Sequence, residues 1–311
     1  MICILIKPFH AKCSDRKILS KKHKKMGIAD NWFTNEILSE FSYFGLLSFD
    51  FFVNWKTMEI SNEFWIKRII PRDFVLPNTS NEYIQGLIYD CDGESEVKLV
   101  SRFLNGNLKY KLFRECNNWR AHPNNPKPIL DVSINRNGVV EKVDRISLES
   151  LKNDIKCLSG GAVKIGSKGL IYGYTTLECH LSATDAVWPG DVDLMIIDDE
   201  YKPKAIIEFK KHTKREPIEN YKFNRYYPHP DGRKYDRLAI LKESMEKRLD
   251  QTIPLIVLYY PTESEIEEII IEEVVGKHGK LESTNEIKLL LPKNKDQLVD
   301  LLHVLKENYI S

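Results

Sequence analysis

The stretch Pro189-Gly190-Asp191-Val192-Asp193-Leu194-Met195-Ile196-Ile197-Asp198, followed after a turn by Ala205-Ile206-Ile207-Glu208-Phe209-Lys210-Lys211, decides how this chain is read. Both runs are apolar and rich in β-branched residues. Pro189-Gly190 precedes the first and Lys202-Pro203 the second, the pattern of two buried strands in succession. Side chains two apart on a strand share a face, so Glu208 and Lys210 project together while Phe209 turns into apolar packing. The turn between the runs returns the chain antiparallel and lays Asp193, which opens the first strand, beside Glu208. Two carboxylates and an ammonium then meet in one small volume.

Outward from this pair, Ile146, Leu148, Leu151, Ile155 and Leu158 fall at helical spacing, and Gly160-Gly161 ends that helix. The following GLIYGYTTLECHLSA reads as a strand. Downstream, Arg233 to Asp250 is a helix with Leu238, Leu241, Met245 and Leu249 inward, TIPLIVLYY a buried strand, and NKDQLVDLLHVLKENY a closing helix. EEIIIEEVV and EIKLLL are weaker strands. Three strands, a helix and a fully apolar strand describe an α/β (α+β) sandwich with a mixed sheet.

Upstream the pattern differs. Residues 60 to 145 hold short apolar stretches (FWIKRII, YIQGLIYD, VKLVSRFL, LKYKLF, ILDVSI) broken by Asp-Gly and Asn-Gly turns, which reads as a mostly β region. The aromatic-rich segment from Asp30 to Trp55 is core, with helix and strand inseparable by periodicity. NNWRAHPNNPKP, residues 117 to 128, is a surface loop, and no repeat of fixed period is visible. The expected division is a basic arm over 1–25, a β-rich domain over 26–140 and an α/β domain over 141–311, with Asn137 an alternative boundary and Met26 an alternative start.

A chain of 311 residues exceeds the size at which one core stops growing, in keeping with two domains. No apolar run approaches the roughly 18 residues needed to span a bilayer, and MICILIKPFH is interrupted too early for a secretory segment, so a cytoplasmic protein is expected. Six cysteines without a CxxC pair point to reduced thiols, and His10, Cys13 and His23 lack a fourth partner with finger spacing, so no zinc is assigned. Net charge is +1, but its distribution is uneven. Residues 202 to 248 carry 14 Lys/Arg against 7 Asp/Glu, and residues 261 to 311 carry 6 against 11, so positive charge gathers where a polyanion would be drawn.

The acid, acid and lysine set suits phosphodiester hydrolysis. Hard Mg²⁺ or Mn²⁺ takes carboxylate oxygens, a backbone carbonyl and waters, polarises a phosphoryl oxygen and helps deprotonate water. A compact lysine ammonium holds that water or offsets charge on the pentacovalent transition state.

Pro189-Gly190-Asp191-Val192-Asp193-Leu194 followed by Ile207-Glu208-Phe209-Lys210 resembles the PD-(D/E)XK nuclease superfamily, over roughly residues 146 to 260. It is most similar to Holliday-junction-resolvase-like and restriction-like members with a Gly-acid-x-Asp-Leu strand before Glu-x-Lys. The resemblance implies a restriction-endonuclease-like mixed sheet, metal binding by Asp193, Glu208 and the Phe209 carbonyl, and Lys210 as catalytic lysine. Asp191 assists or replaces Asp193. A further acid is common in that superfamily, and Glu149, Asp154 and Glu178 are candidates, Glu178 foremost because its expected strand neighbours Asp193.

His180 and His212 are weaker candidates for a phosphate contact. The segment YKFNRYYPHPDGRKYDR, Tyr221 to Arg237, carries four tyrosines, one phenylalanine and five Lys/Arg, suited to holding phosphates and stacking an unpaired base. Arg233, Lys234 and Arg237 are the expected contacts, with Lys211 and Lys214 extending the surface. The functional expectation is a metal-dependent nuclease, most naturally a DNA endonuclease in restriction, defence or repair. Its partner is nucleic acid, with a homodimer or larger assembly to present two sites. The rival is a protein that keeps the nuclease fold and binds nucleic acid without cutting.

Overall fold

A computed structural model describes residues 4–8, 11–13, 32–116, 118–119, 127–164, 170, 172–262 and 265–310. His10, His23, most of the basic arm and most of the 117–128 loop lie outside the described residues. In chain order the elements are β1 (Ala11–Lys12), α1 (Asn35–Leu38), β2 (Tyr43–Gly45), β3 (Phe49–Asn54), β4 (Glu59–Ile69), α2 (Asn81–Asp92), α3 (Glu94–Phe103) and β5 (Leu108–Phe113). They continue as β6 (Ile129–Ile134), β7 (Val140–Ile146), α4 (Leu148–Leu158), β8 (Tyr172–Gly173), α5 (Thr176–Ser182), β9 (Gly190–Val192) and β10 (Leu194–Asp198). The last are β11 (Pro203–His212), α6 (Phe223–Tyr226), α7 (Gly232–Leu249), β12 (Leu255–Pro261), β13 (Glu268–Lys277), β14 (Lys280–Leu290) and α8 (Lys295–Asn308). The chain is mixed α+β with two six-stranded mixed sheets.

Two compact units result, Met1–Arg16 with Phe49–Asp191, and Lys17–Ser48 with Val192–Ser311. The expected boundary at 140/141 falls inside the first unit, because Val140 opens β7 and β7 is hydrogen-bonded antiparallel to β6 across the Asn137-Gly138 turn. Gly138 is needed there. Its φ is +82°, and a Cβ would meet the Lys98 Cα at 2.9 Å.

The first unit's sheet runs β7-β6-β5-β4-β3-β9. Strands β3 and β4 are antiparallel, β5 returns parallel to β4 after α2 and α3, and β6 and β7 follow antiparallel. The expectation of a mostly β region is therefore corrected over residues 81–103, which form two helices. Ser80 caps α2 by accepting the Tyr83 N–H, and Ile84, Leu87 and Ile88 supply a buried helical stripe. Asp92-Gly93 is thus a helix stop with Gly93 at φ +85°, rather than a hairpin turn. On one sheet face Phe52, Trp65, Phe113 and Ile129 pack against Leu151 and Ile155 of α4 and Leu177 and Leu181 of α5.

The expected strand GLIYGYTTLECHLSA is likewise mostly the helix α5, capped by Thr175 through the Glu178 N–H. The expectation of reduced thiols is also corrected, since Cys13, beside the β1–β8 pair, is disulfide-bonded to Cys179 on α5. The bond spans 166 residues of sequence. Loop-closure entropy predicts that the double Cys13→Ser, Cys179→Ser variant loses about 2–4 kcal/mol of stability, read as a lower urea midpoint without reductant and no difference with it.

The second unit's sheet runs β14-β13-β12-β11-β10-β2. The expected hairpin is present, with Leu194 opposite Ile207 and Ile196 opposite Ala205, and β12 lies parallel to β11 after the α7 crossover. Asp198 Oδ1 accepts the Glu200 and Lys202 N–H groups and closes the β10–β11 turn. One sheet face, with Ile196, Ile207, Ile256 and Leu258, is covered by α1 and α8 through Leu38, Leu302 and Leu305. Residues of opposite parity on β11, among them Glu208 and Lys210, face the other way. Among the described residues no helix is long and apolar enough to cross a membrane.

Candidate functional site

Asp193 sits at the bend between β9 and β10, one residue before the β10–β11 pairing begins at Leu194 and Ile207. Its Oδ2 accepts the Phe209 N–H at 2.8 Å, which holds the carboxylate against β11 at the level of Glu208 and Lys210. Asp193 is thus placed beside the strand that carries Glu208 and Lys210 in the second unit.

Glu208 is 1% exposed, and neither carboxylate oxygen accepts a hydrogen bond. Two ammonium groups nevertheless approach Oε1, Lys234 Nζ from α7 at 2.6 Å and Lys210 Nζ at 3.5 Å. The Lys234 distance is that of an ion pair, while its orientation is not that of a hydrogen bond. The two ammonium groups offset the charge at Oε1, Oε2 accepts no hydrogen bond, and a cation or donor placed on that oxygen would lower the cost of burying it.

Lys210 has its strongest contact elsewhere, 2.7 Å from Asp231 Oδ2. Asp231 occupies the N-cap position of α7 but makes no capping bond, so its carboxylate is committed to the lysine. The ammonium also stands 5.4 Å from the Tyr226 ring and 5.3 Å from the Tyr235 ring, a cation–π setting. Burial raises the Tyr235 phenol above its ordinary range and the Glu208 charge adds to this, so the hydroxyl remains a neutral donor. Burial, then Asp231, raises Tyr226 in the same direction.

Strand alternation corrects one expected contact. Lys211 shares the face of Phe209, and the unbroken pairing of β11 with β12 through His212 turns it away from Lys210. Lys214 donates to the Tyr221 hydroxyl at 2.9 Å and lies over its ring at 4.3 Å. The His212 ring nitrogen is 2.7 Å from the Glu216 carbonyl, and its ring packs on Tyr221, which makes it a tie for the following loop. Arg233 is exposed on the first turn of α7, and Arg237 is half-buried one turn on.

Within Tyr221 to Arg237 most aromatic rings pack inward. Phe223 stacks on Tyr227 at 5.1 Å and meets Tyr235 edge-on at 4.9 Å, while the Phe223 N–H is held by buried Glu272 at 2.9 Å. These rings build the wall of the site. Half-buried Tyr226, beside Lys210, retains an accessible face.

The remaining acids belong to the first unit. Glu178 is on α5, and its Oε1 is 2.7 Å from Lys67 Nζ, which also donates to Asp50 at 2.9 and 3.1 Å. Asp191 acts electrostatically on this same Asp50–Lys67 pair. Asp191, the alternative to Asp193, does not share a strand face with it, because β9 ends at Val192 and the chain bends at Asp193. Glu149 is an exposed partner of Lys152. Asp154 is on α4, its carboxyl raised by burial.

No family model matches the chain, and no curated protein matches it. A solved structure described as the crystal structure of a sex pheromone staph-cAM373 precursor aligns over 83% of this chain and 82% of that one, at 12% identity and a TM-score of 0.17. That score carries no argument about fold or function. The reading of the site rests on its own geometry.

For a divalent cation, the donors are the two Glu208 oxygens, the Asp193 carboxylate and the Phe209 carbonyl. All are hard oxygens of the kind Mg²⁺ or Mn²⁺ takes, and both ions keep waters for the remaining positions. Among the described residues no three His, Cys, Asp or Glu side chains form a closed metal cage. An open two-carboxylate site needs no such cage, so the donor set fits.

Proposed function

We propose that the second unit is a metal-dependent nuclease centre of the PD-(D/E)XK type that hydrolyses phosphodiester bonds, with DNA as the expected substrate. The observation that carries this reading is Glu208. Its carboxylate is buried, both oxygens lack hydrogen bonds, and it stands beside Asp193 and two lysines on the face under the N-terminus of α7.

A divalent cation bound here supplies Lewis-acid polarisation of the phosphoryl oxygen and a lower pKa for water. Asp193 and Glu208 would hold it. Lys210 exchanges Asp231 for the scissile phosphate as substrate enters, and its ammonium offsets the charge that builds as the water oxygen bonds to phosphorus and the ester P–O bond breaks. The proton of the attacking water leaves to solvent, and the departing alkoxide is protonated from solvent. Lys234 offsets the Glu208 charge. Arg233, Arg237 and Lys214 supply sequence-independent phosphate contacts, and Tyr226 a stacking face.

Labelled single-stranded, duplex and branched DNA, together with RNA, incubated with the purified chain and Mg²⁺ or Mn²⁺ should give cut products that vanish in EDTA. Binding of every substrate with no cut under any ion would favour the rival, a nuclease-like fold that only binds.

A further inference from the structure

The first turn of α7 is built against the electrostatics of a helix start. An N-cap aspartate ordinarily accepts an N–H of the first turn through its side chain, and acids in that turn suit the positive end of the helix dipole. Asp231 makes no such bond, the first turn of α7 holds no acid, and Arg233 and Lys234 place two cations where the dipole disfavours them. Local rules broken together mark a segment arranged for something other than its own stability.

Two of the side chains that break these rules reach β11 instead. Asp231 Oδ2 is 2.7 Å from Lys210 Nζ, and Lys234 Nζ is 2.6 Å from Glu208 Oε1. The Asp231 carbonyl accepts the Lys234 N–H at 2.9 Å, so the backbone of the turn fixes the spacing of the two groups. An anion thus sits on the lysine of the centre and a cation on its buried acid. These are the charges of a phosphate and a metal ion, on the groups to which the nuclease reading assigns them.

We infer that this turn is an autoinhibitory plug, in which Asp231 stands in for phosphate on Lys210 and Lys234 stands in for a cation on Glu208. The inference rests on the nuclease reading of the site and adds its regulation. The Asp231 and Lys234 side chains are both partly exposed, whereas Glu208 is buried. Either plug group therefore turns into water without crossing the core, and the centre is left open to ligands.

Two binding titrations on the full chain test this. In EDTA, Asp231→Asn should bind labelled DNA about fivefold more tightly than wild type, the order expected when a partly exposed ion pair no longer has to be broken. The gain should disappear when Lys210→Met is also present, because a pairwise interaction is lost with either partner. Glu243→Gln, which removes an acid farther along α7, should change binding by less than about twofold. Calorimetry should find Mn²⁺ bound about tenfold more tightly by Lys234→Gln than by wild type, since no ammonium has to be displaced from a buried carboxylate. A missing gain in Asp231→Asn, a gain that persists in full without Lys210, or unchanged Mn²⁺ affinity in Lys234→Gln would overturn the plug and leave the nuclease reading intact. If no form binds Mn²⁺ or DNA, both fall. The Asp231 titration needs no metal, so it decides the question if Lys234→Gln does not fold.

Discussion

Asp193→Ala and Lys210→Ala are each expected to slow metal-dependent cleavage by about 10²-fold or more, the usual loss when one group stabilising transition-state charge is removed. The two should fail differently. Without Asp193 the cation is held by Glu208 alone, so activity should recover in part at high Mn²⁺. Without Lys210 the cation is still held, so the metal requirement should be unchanged and the maximal rate low. Single-turnover rates across a metal titration separate these cases. Neither change should unfold the protein, because Asp193 lies at the bend between β9 and β10, outside both strands, and Lys210 is partly exposed at the end of β11. Circular dichroism melts of both variants check this.

The largest stability effect is expected in the first unit. Lys67→Ala strands Asp50 and Glu178, 3% and 5% exposed, without their shared cation. Breaking a buried ion pair from one side costs about 3–5 kcal/mol. Burial pushes the Asp50 carboxyl up to about 7, with Lys67 opposing and Asp191 and Glu178 adding to the rise. A carboxyl held above its unfolded value binds its proton more tightly when folded. The stability this gives is complete below the ordinary value of 3.8 and is lost as pH rises through 7. Removing Lys67 raises that carboxyl further, so the deficit should be larger at pH 8 than at pH 5. Urea denaturation followed by tryptophan fluorescence at the two pH values measures it.

Much of the second unit was legible in the chain. Strands β10, β11 and β12 show as apolar runs between turn residues, and α7 and α8 show helical spacing with clear ends. The pairing of Asp193 with Glu208 follows from that hairpin. Asp231 was not legible, because its link to Lys210 depends on where the Tyr221–Arg237 loop returns, although an Asp-Gly at a helix start is a cue.

In the first unit, Asp-Gly and Asn-Gly dipeptides were read as hairpin turns although Ile84, Leu87 and Ile88 already had helical spacing. At α5 the cue was Thr175-x-x-Glu178, a helix-start signature, and the β-branched and aromatic residues just before it outweighed it. Asp50 and Lys67 carry no local motif, and their pairing depends on the β3–β4 register.

The most direct test of the account is the cleavage of labelled nucleic acid with Mg²⁺ by wild type and Glu208→Gln, side by side with binding of the same substrate. Glutamine keeps the size of the side chain and removes the charge that the cation and Lys234 share. The account predicts metal-dependent cutting by wild type, loss of about 10²-fold or more in the variant, and binding within a few-fold. Equal cutting by both proteins, or no cutting by wild type with any of the four substrates, would contradict it.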